Sequence, residues 1–262
     1  MKDTFTVVAF GDVVGPYATE KLCRKLRSIK DKYSADLAIV NAENAAKGNG
    51  LDVPSADALL NAGADVLTGG NHIWKRHEIQ DYLEEAPYVL RPANYPDSCP
   101  GRGSVIVECG RVRVLVMNIL GTVYLDPLQS PFDAADRMLR ENRGNYDISV
   151  LDFHAEATAE KIALANWLDG RVGAVFGTHT HVRTADARLL PKGTAYITDI
   201  GMTGRPDSVL GVDTGAIIFH MRTHMPTKFN VSDGETETGI AVITFDRKTK
   251  KAISITSADE RI

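Results

Sequence analysis

The chain has 262 residues, of which 44% are hydrophobic and 24% charged, and it carries a formal net charge of −4. This acidic balance argues against a protein that binds many nucleic-acid phosphates, and no apolar run approaches the ~20 residues that cross a bilayer. Three cysteines without a C-x-x-C spacing, Cys23, Cys99 and Cys109, argue against a disulfide framework or a thiolate zinc site, so we expect a cytoplasmic protein.

The first third of the chain alternates predicted strands with predicted helices. Apolar runs indicate strands at 6–10, 37–40 and 66–68, and apolar residues at helical spacing indicate helices at 17–32 and 54–62. The first run has no small-residue cleavage site after it and is therefore interpreted as a strand rather than a signal peptide. Strands that are apolar throughout and separated by helices are typical of a parallel sheet covered on both faces.

The middle of the chain begins with two β-rich runs, 104–108 and 112–119, that predict a hairpin. The alternation of helix and strand then resumes. It predicts a helix at 134–143, a strand at 148–153, a helix at 157–168 and a strand at 174–177.

The last part of the chain has mostly strand and turn signals. Strands are predicted at 196–200, 215–221 and 240–245, and the polar stretch 230–238 is predicted to be a surface loop. The two half-sheets, each with outer helices, would bury one face of each sheet against the other. No linker divides the chain convincingly, so we expect one domain over residues 1–262.

Five short polar clusters each follow one of the predicted strands, and they contain residue types that bind metals or carry protons. These residues are Asp12, Glu43, Asn44, Asn71, His72, His154, His179 and His181. Taken singly, most are as well explained by a turn or by a buried core residue. Because loops at the carboxyl ends of parallel strands converge, the coincidence of all five clusters predicts a metal site. His179 and His181 would share one face of an extended chain and could both point into that site.

The types of the candidate ligands indicate which metal ions and which reaction to expect. Carboxylate, amide and imidazole ligands without thiolate favour iron, manganese, zinc or a similar ion. Glu43 is the best candidate for a carboxylate that bridges two ions about 3.5–4 Å apart, and such a pair activates a shared water and clamps phosphoryl oxygens. The leaving alkoxide then needs a proton, and His72, which is surplus to the ligand count, is the candidate general acid.

Six motifs spread along the chain carry a family resemblance. They are GDVVG at 11–15, NAEN at 41–44, GNHIW at 70–74, RPANYP at 91–96, DFHAEAT at 152–158 and GTHTHV at 177–182. The set resembles the YmdB family of calcineurin-type metallophosphoesterases. The superfamily pattern has a histidine two residues after the first aspartate, where this chain has Val14. The pair Glu43–Asn44 is similar to the Glu-Asn pair that replaces that histidine and the usual bridging aspartate in the YmdB branch.

The resemblance implies a fold, a cofactor and an activity. The fold is an α/β, four-layer α/β/β/α sandwich of two mixed β-sheets flanked by helices. The cofactor is a pair of divalent or mixed-valence metal ions, with iron first and manganese or zinc as alternatives. The first metal would be held by Asp12, Glu43, Asn44 and His181, and the second by Glu43, Asn71, His154 and His179. A hydroxide bridging the metals would attack a small phosphodiester, 2′,3′-cyclic nucleotides being favoured, with His72 as general acid.

Two other interpretations of the same residues stay open. The centre could serve a phosphomonoesterase or a nuclease, or the chain could be a regulatory protein with a structural metal site, since a fold does not fix a function. We expect a small phosphodiester as the partner, no membrane and no stable nucleic-acid binding. A homo-oligomer is compatible with the sequence.

Overall fold

Two β-sheets pack face to face in the computed structural model, which describes residues 3–262. In chain order the strands are β1 (Thr4–Phe10), β2 (Asp12–Val13), β3 (Leu37–Asn41), β4 (Val66–Thr68), β5 (Val89–Leu90), β6 (Ser104–Cys109), β7 (Val112–Leu120), β8 (Ile148–His154), β9 (Ala174–Thr178), β10 (Arg188–Leu189), β11 (Ala195–Ile197), β12 (Met202–Gly204), β13 (Glu237–Asp246) and β14 (Ala252–Arg261). The helices are α1 (Gly15–Lys32), α2 (Val53–Ala62), α3 (Ile79–Glu85), α4 (Pro131–Glu141), α5 (Thr158–Trp167) and α6 (Thr214–Thr223).

The two sheets take different parts of the chain. The first has the strand order β2-β12-β13-β1-β3-β4-β5, with β14 paired to β13, and the second has the order β10-β11-β9-β8-β7-β6. Both are mixed: β1 pairs with β3 in parallel but with β13 antiparallel, and β8 is parallel to both neighbours while β6 and β7 are antiparallel.

The core has three apolar layers because successive side chains of a strand point to opposite faces. In β1, Val7 packs between the sheets, whereas its neighbour Val8 packs outward with Leu22 of α1. In β8, Val150 lies between the sheets and Leu151 packs outward against the layer that holds α4 and α5. Strands buried on both faces therefore appear as continuous apolar runs. The predicted fold class, a four-layer α/β/β/α sandwich, is confirmed; that residues 1–262 form one domain stays a prediction, and residues 1 and 2 lie outside the described part.

The predicted strand at 215–221 is wrong, because these residues lie in α6. Asp213 caps that helix by accepting a hydrogen bond from the Ala216 N–H at 2.8 Å. The apolar run 216–219 has no alternation, so its period does not separate strand from helix. No residue of α6 is buried, so the local cap rather than core packing identifies this element.

The long strand β14 has no clear signal in the sequence. It pairs with β13 in antiparallel register, and only two of its apolar side chains, Ala252 and Ile255, are buried. The rest of the strand is exposed or partly exposed, so its hydrophobic pattern is weak. Among the helices of residues 3–262, none combines the length and the apolar character needed to cross a bilayer.

Candidate metal centre

The eight residues singled out in the sequence lie together where parallel strands of both sheets end. They are Asp12 in β2, Glu43 and Asn44 after β3, Asn71 and His72 after β4, His154 at the end of β8, and His179 and His181 after β9. We call this group the candidate centre. Its members come from both sheets because β1, β3 and β4 run parallel in one sheet and β8 and β9 in the other.

The compact part of the candidate centre is formed by Glu43, His154 and His179. One potential ligand atom from each lies within 4.8 Å of the others. The Nε2 atom of His154 is 3.4 Å from Glu43 Oε2 and 3.0 Å from Nδ1 of His179. It is also 3.1 Å from the amide oxygen of Asn71. These atoms are the donor types that bind iron, manganese or zinc.

His154 is held in its orientation by the hydrogen-bond partner of its second ring nitrogen, Nδ1. Nδ1 of His154 lies 2.8 Å from Thr178 Oγ1, and that hydroxyl donates to Asp152 Oδ1 at 2.7 Å. Thr178 therefore accepts from His154 Nδ1–H, which directs Nε2 towards Glu43, Asn71 and His179. Metal-binding histidines commonly donate their second ring N–H in this way.

His179 is oriented by a second carboxylate. Its Nε2 lies 3.1 Å from Glu156 Oε2, so the carboxylate favours a proton on Nε2 and leaves Nδ1 as an electron-pair donor facing His154. Burial and the neighbouring His154 lower the pKa of His179 to about 3, so its ring is neutral at physiological pH. A neutral imidazole is the form that binds a metal ion.

The charges of the candidate centre favour a cation among its ligands. Burial opposes charge on His154, but Glu43 and Asp12 outweigh burial and raise the pKa of His154 to about 9. Burial likewise raises the pKa of Glu43, but His154 and His72 hold that pKa well below its usual value. Positive charge is thus favoured here, and a metal ion that supplies it would displace the His154 proton.

Asp12 provides an independent sign that a cation fits. It is fully buried, and its Oδ1 is the one buried side-chain polar atom within residues 3–262 that lacks a hydrogen-bond partner. Native proteins rarely leave such an atom unpaired, and a bound ion is one of the accepted reasons. Oδ1 is 3.7 Å from Nε2 of His181, while the His181 Nδ1–H donates to the Leu210 carbonyl at 3.1 Å. Asp12 and His181 therefore form a second, looser pair of potential ligands beside the first group.

Asn44 and His72 contact the opposite side of Glu43. The Asn44 amide donates to Glu43 Oε1 at 2.6 Å and accepts from Nδ1–H of His72 at 2.9 Å. Nδ1 of His72 also lies 3.1 Å from Glu43 Oε1, and the His72 backbone N–H donates to Glu43 Oε2 at 2.9 Å. The amide oxygen of Asn44 is thus directed at His72 rather than at Asp12 and His181, and its assignment as a metal ligand stays a prediction.

The backbone around the histidine pair differs from the expectation. His179 and His181 have φ values of 97° and 63°, so the chain is not extended there and the expected shared face of a strand is wrong. Asp199 bends this segment by accepting from the N–H and the hydroxyl of Thr180, at 3.1 and 2.8 Å. Both imidazoles still reach the candidate centre, through a turn instead of a strand.

The family model for the YmdB-like protein matches residues 8–258, which include every residue of the candidate centre. The chain belongs to the YmdB-like family. The resemblance of its motifs to this family of metallophosphoesterases is thereby confirmed.

Relatives of this YmdB-like chain match it over nearly its full length. A protein of Bacillus subtilis (strain 168) named 2′,3′-cyclic-nucleotide 2′-phosphodiesterase is 44% identical over 249 residues, covering 95% of this chain and 94% of the relative. The crystal structure of a hypothetical protein from Thermus thermophilus has a TM-score of 0.92 at 39% identity, covering 98% of this chain and 99% of the other. A novel phosphatase of Mycoplasma pneumoniae has the same TM-score of 0.92 at 34% identity, covering 100% and 95%.

A cleft of about 420 Å³ opens over the candidate centre of this YmdB-like chain. Its polar lining residues include His72, His179, His181 and Glu156. Its apolar lining residues are Val14, Leu210, Val212, Phe229 and Val231, and we call these five residues the apolar wall. A volume of this size is typical of sites for small molecules.

Several residues that support the centre were not predicted from the sequence. They are Asp152, Thr178, Glu156, Lys161 and Asp199. Asp152 could have been predicted from the sequence, because it precedes His154 by two residues in β8 and therefore lies on the same face of the strand. Gly70 also supports the centre, because a Cβ there would lie 2.2 Å from Glu43 Oε2, but only the structure reveals this close approach. Asp199 and Lys161 could not have been predicted, because their pairing spans 38 residues without a local pattern.

Proposed function

We propose that this protein is a metal-dependent phosphodiesterase that hydrolyses small phosphodiesters, with 2′,3′-cyclic nucleotides as its substrates. The observation that carries the proposal is the convergence of Glu43, His154 and His179, whose ligand atoms lie within 4.8 Å of one another beneath an open cleft. The unpaired buried oxygen of Asp12 and the name of the Bacillus subtilis relative support it.

Two metal ions fit the donor set of the candidate centre. Asp12, Glu43, Asn44 and His181 would hold one ion, and Glu43, Asn71, His154 and His179 would hold the other. When bound, such a pair lowers the pKa of water and neutralises charge on a phosphoryl group. Iron is the first candidate, with manganese and zinc as alternatives, because all three accept this mixture of oxygen and imidazole ligands.

His72 supplies the proton to the leaving alkoxide in this proposal. Its Nδ1 faces two acceptors, Asn44 Oδ1 at 2.9 Å and Glu43 Oε1 at 3.1 Å, so Nδ1 carries a proton and the ring is held in one orientation. Its Nε2 has no hydrogen-bond partner in the part of the chain that is described, and the side chain lines the cleft. A proton on Nε2 is therefore free to be transferred to a substrate oxygen.

Replacing His72 by alanine tests that role. We expect His72→Ala to retain its metals and to lose about 10²–10⁴-fold in kcat, because a general acid contributes about that much. Metal content by elemental analysis and turnover of 2′,3′-cyclic AMP are measured on the same preparation. His77→Ala is the matched control, since His77 is exposed on the same segment and should change neither quantity. Unchanged kcat in His72→Ala would refute the assignment.

Removing Glu156 tests the orientation of His179. Because Glu156 Oε2 lies 3.1 Å from Nε2 of His179, we expect Glu156→Ala to weaken metal binding by about 10–100-fold, which is usual for loss of a group that orients a ligand. Competition with a chelator measures the affinity. Glu235→Ala removes an exposed carboxylate outside the cleft lining and serves as the control. Equal affinities of the two variants would contradict the proposed role of Glu156.

The substrate class is tested by comparing ester types on one preparation. The assay measures metal content and the hydrolysis of 2′,3′-cyclic AMP, bis-p-nitrophenyl phosphate and p-nitrophenyl phosphate, before and after chelation. Turnover of the diesters that chelation removes supports the proposal. Faster turnover of the monoester would favour a phosphomonoesterase instead, in keeping with the name of the Mycoplasma pneumoniae structure. Metal binding without any turnover would favour a regulatory role.

A further inference from the structure

Except for Val14, which directly precedes α1, the residues of the apolar wall lie in two segments between β12 and β13. Residues 209–213 pair with residues 230–232 through hydrogen bonds from Asp213 N to Asn230 O at 3.0 Å and from Ser232 N to Gly211 O at 2.9 Å. These two segments pack against the start of α1. A Cβ on Gly211 would lie only 2.5 Å from Val14, so the two chains approach closely there. Contacts of this kind indicate a defined surface rather than a loose loop.

Phe229 is the largest side chain of the apolar wall, and its position is supported from α6. Its ring packs edge to face with the ring of His220, with centroids 5.4 Å apart and an interplanar angle of 87°. His220 is fixed in turn by its Nδ1–H, which donates to the Met225 carbonyl at 2.9 Å. Even so, 47% of the Phe229 surface is exposed. A ring that is held in place but half-open to the cleft is suited to stacking on a planar ligand.

The apolar wall is continuous with the candidate centre. His181 contributes a ring nitrogen to the neighbourhood of Asp12, and its other ring nitrogen donates to the backbone carbonyl of Leu210 in the wall. His72 and His179 line the same cleft as Leu210 and Phe229. A substrate whose phosphate lies at the candidate centre would therefore extend its other end along this wall.

We propose that the apolar wall is the nucleobase subsite of this enzyme, with the Phe229 ring as the surface on which the base stacks. This inference rests on the proposed function. The wall residues Val14, Leu210, Val212, Phe229 and Val231 bear no charged side chain, which suits an uncharged, planar base better than a second phosphate. Because every base has an aromatic face, stacking of this kind discriminates weakly between bases.

The test separates recognition of the base from chemistry at the phosphate. Two substrates share the reacting group: 2′,3′-cyclic AMP, and the 2′,3′-cyclic phosphate of methyl riboside, which lacks the base. For the wild type we expect a KM about tenfold lower for the nucleotide, as one stacked base commonly provides. Phe229→Ala should remove that difference by raising the KM of the nucleotide alone, with kcat little changed. Phe229→Tyr should retain it.

A matched control and a direct binding measurement complete the test. Phe219→Ala removes a phenylalanine of α6 that is 48% exposed and does not line the cleft, and it should behave like the wild type. Calorimetry on the metal-loaded protein compares adenosine 3′-phosphate with ribose 3-phosphate, so the affinity for the base is measured without turnover. We expect a roughly tenfold preference for the nucleotide in the wild type and none in Phe229→Ala.

The outcomes distinguish failure of this inference from failure of the proposed function. If neither cyclic phosphate is hydrolysed but adenosine 3′-phosphate is still preferred through Phe229, the proposed function fails and the subsite stands. If both cyclic phosphates are hydrolysed with equal KM, or if Phe229→Ala keeps the preference, the subsite is refuted. If Phe229→Ala changes only the oligomeric state, the subsite is likewise refuted and the wall is instead a contact between copies of the chain.

Discussion

Replacing Glu43 by alanine is expected to remove metal and activity together. Both Glu43 oxygens are engaged in the candidate centre: Oε1 accepts from Asn44 and faces His72, and Oε2 lies 3.4 Å from His154 Nε2. In the proposal this carboxylate is shared by both metal ions, so its loss weakens both positions at once. Metal ions contribute several kcal/mol of transition-state stabilisation, so we expect kcat/KM to fall by at least about 10³-fold.

The measurement for Glu43→Ala pairs elemental analysis with turnover of 2′,3′-cyclic AMP. Its informative control is His72→Ala, which should lose activity with the metals retained. The two variants thus distinguish the loss of a metal ligand from the loss of the general acid, although the side chains of Glu43 and His72 are in contact. Full metal content together with normal turnover in Glu43→Ala would rule out Glu43 as the shared ligand.

The continuous apolar runs predict the inner strands of both sheets because those strands are buried on both faces. Val7 and Val8 are successive core residues on opposite sides of one sheet, so no polar residue interrupts the run. The same reasoning fails for 215–221, where consecutive apolar residues lie on an exposed helix. There the informative signal was the capping residue Asp213 and not the hydrophobic run.

The candidate centre, like the fold, could be predicted only in part from the sequence. Residue type alone identifies carboxylates and imidazoles that can bind metal, and their positions after strands indicate that they converge. The conformation that brings them together depends on distant partners instead. The expected extended geometry of His179 and His181 fails because Asp199, 19 residues beyond Thr180, bends the segment that carries them.

Asp199 belongs to a buried ion pair whose disruption should have a large effect on stability. The Lys161 Nζ lies 2.7 Å from Asp199 Oδ2 and donates to the Thr178 carbonyl at 2.8 Å, and both side chains are 1% exposed. Lys161→Met would leave the Asp199 carboxylate buried without its counter-ion. We expect the free energy of unfolding to fall by about 3–5 kcal/mol, the usual cost of breaking a buried pair on one side.

Chemical denaturation of Lys161→Met measures this loss, and the chain offers a matched control. Lys30 and Asp65 form an ion pair with the same 2.7 Å separation, but their side chains are 21% and 32% exposed. Lys30→Met should therefore cost only about 0–1 kcal/mol, because water solvates the carboxylate that is left. Equal losses in the two variants would show that burial does not determine the strength of the Lys161–Asp199 pair.

A second substitution separates the charge of Asp199 from its hydrogen bonds. Adding Asp199→Asn to Lys161→Met removes the unpaired charge but keeps an oxygen that can accept from the Thr180 N–H. If the buried charge causes the loss, the double variant should be no less stable than Lys161→Met and should recover part of the difference. If the bend at Thr180 depends on the full carboxylate, the double variant should instead be the less stable of the two. That bend carries His179 and His181 into the candidate centre. In that second case, the metal affinity of the double variant should therefore be lower than that of Lys161→Met.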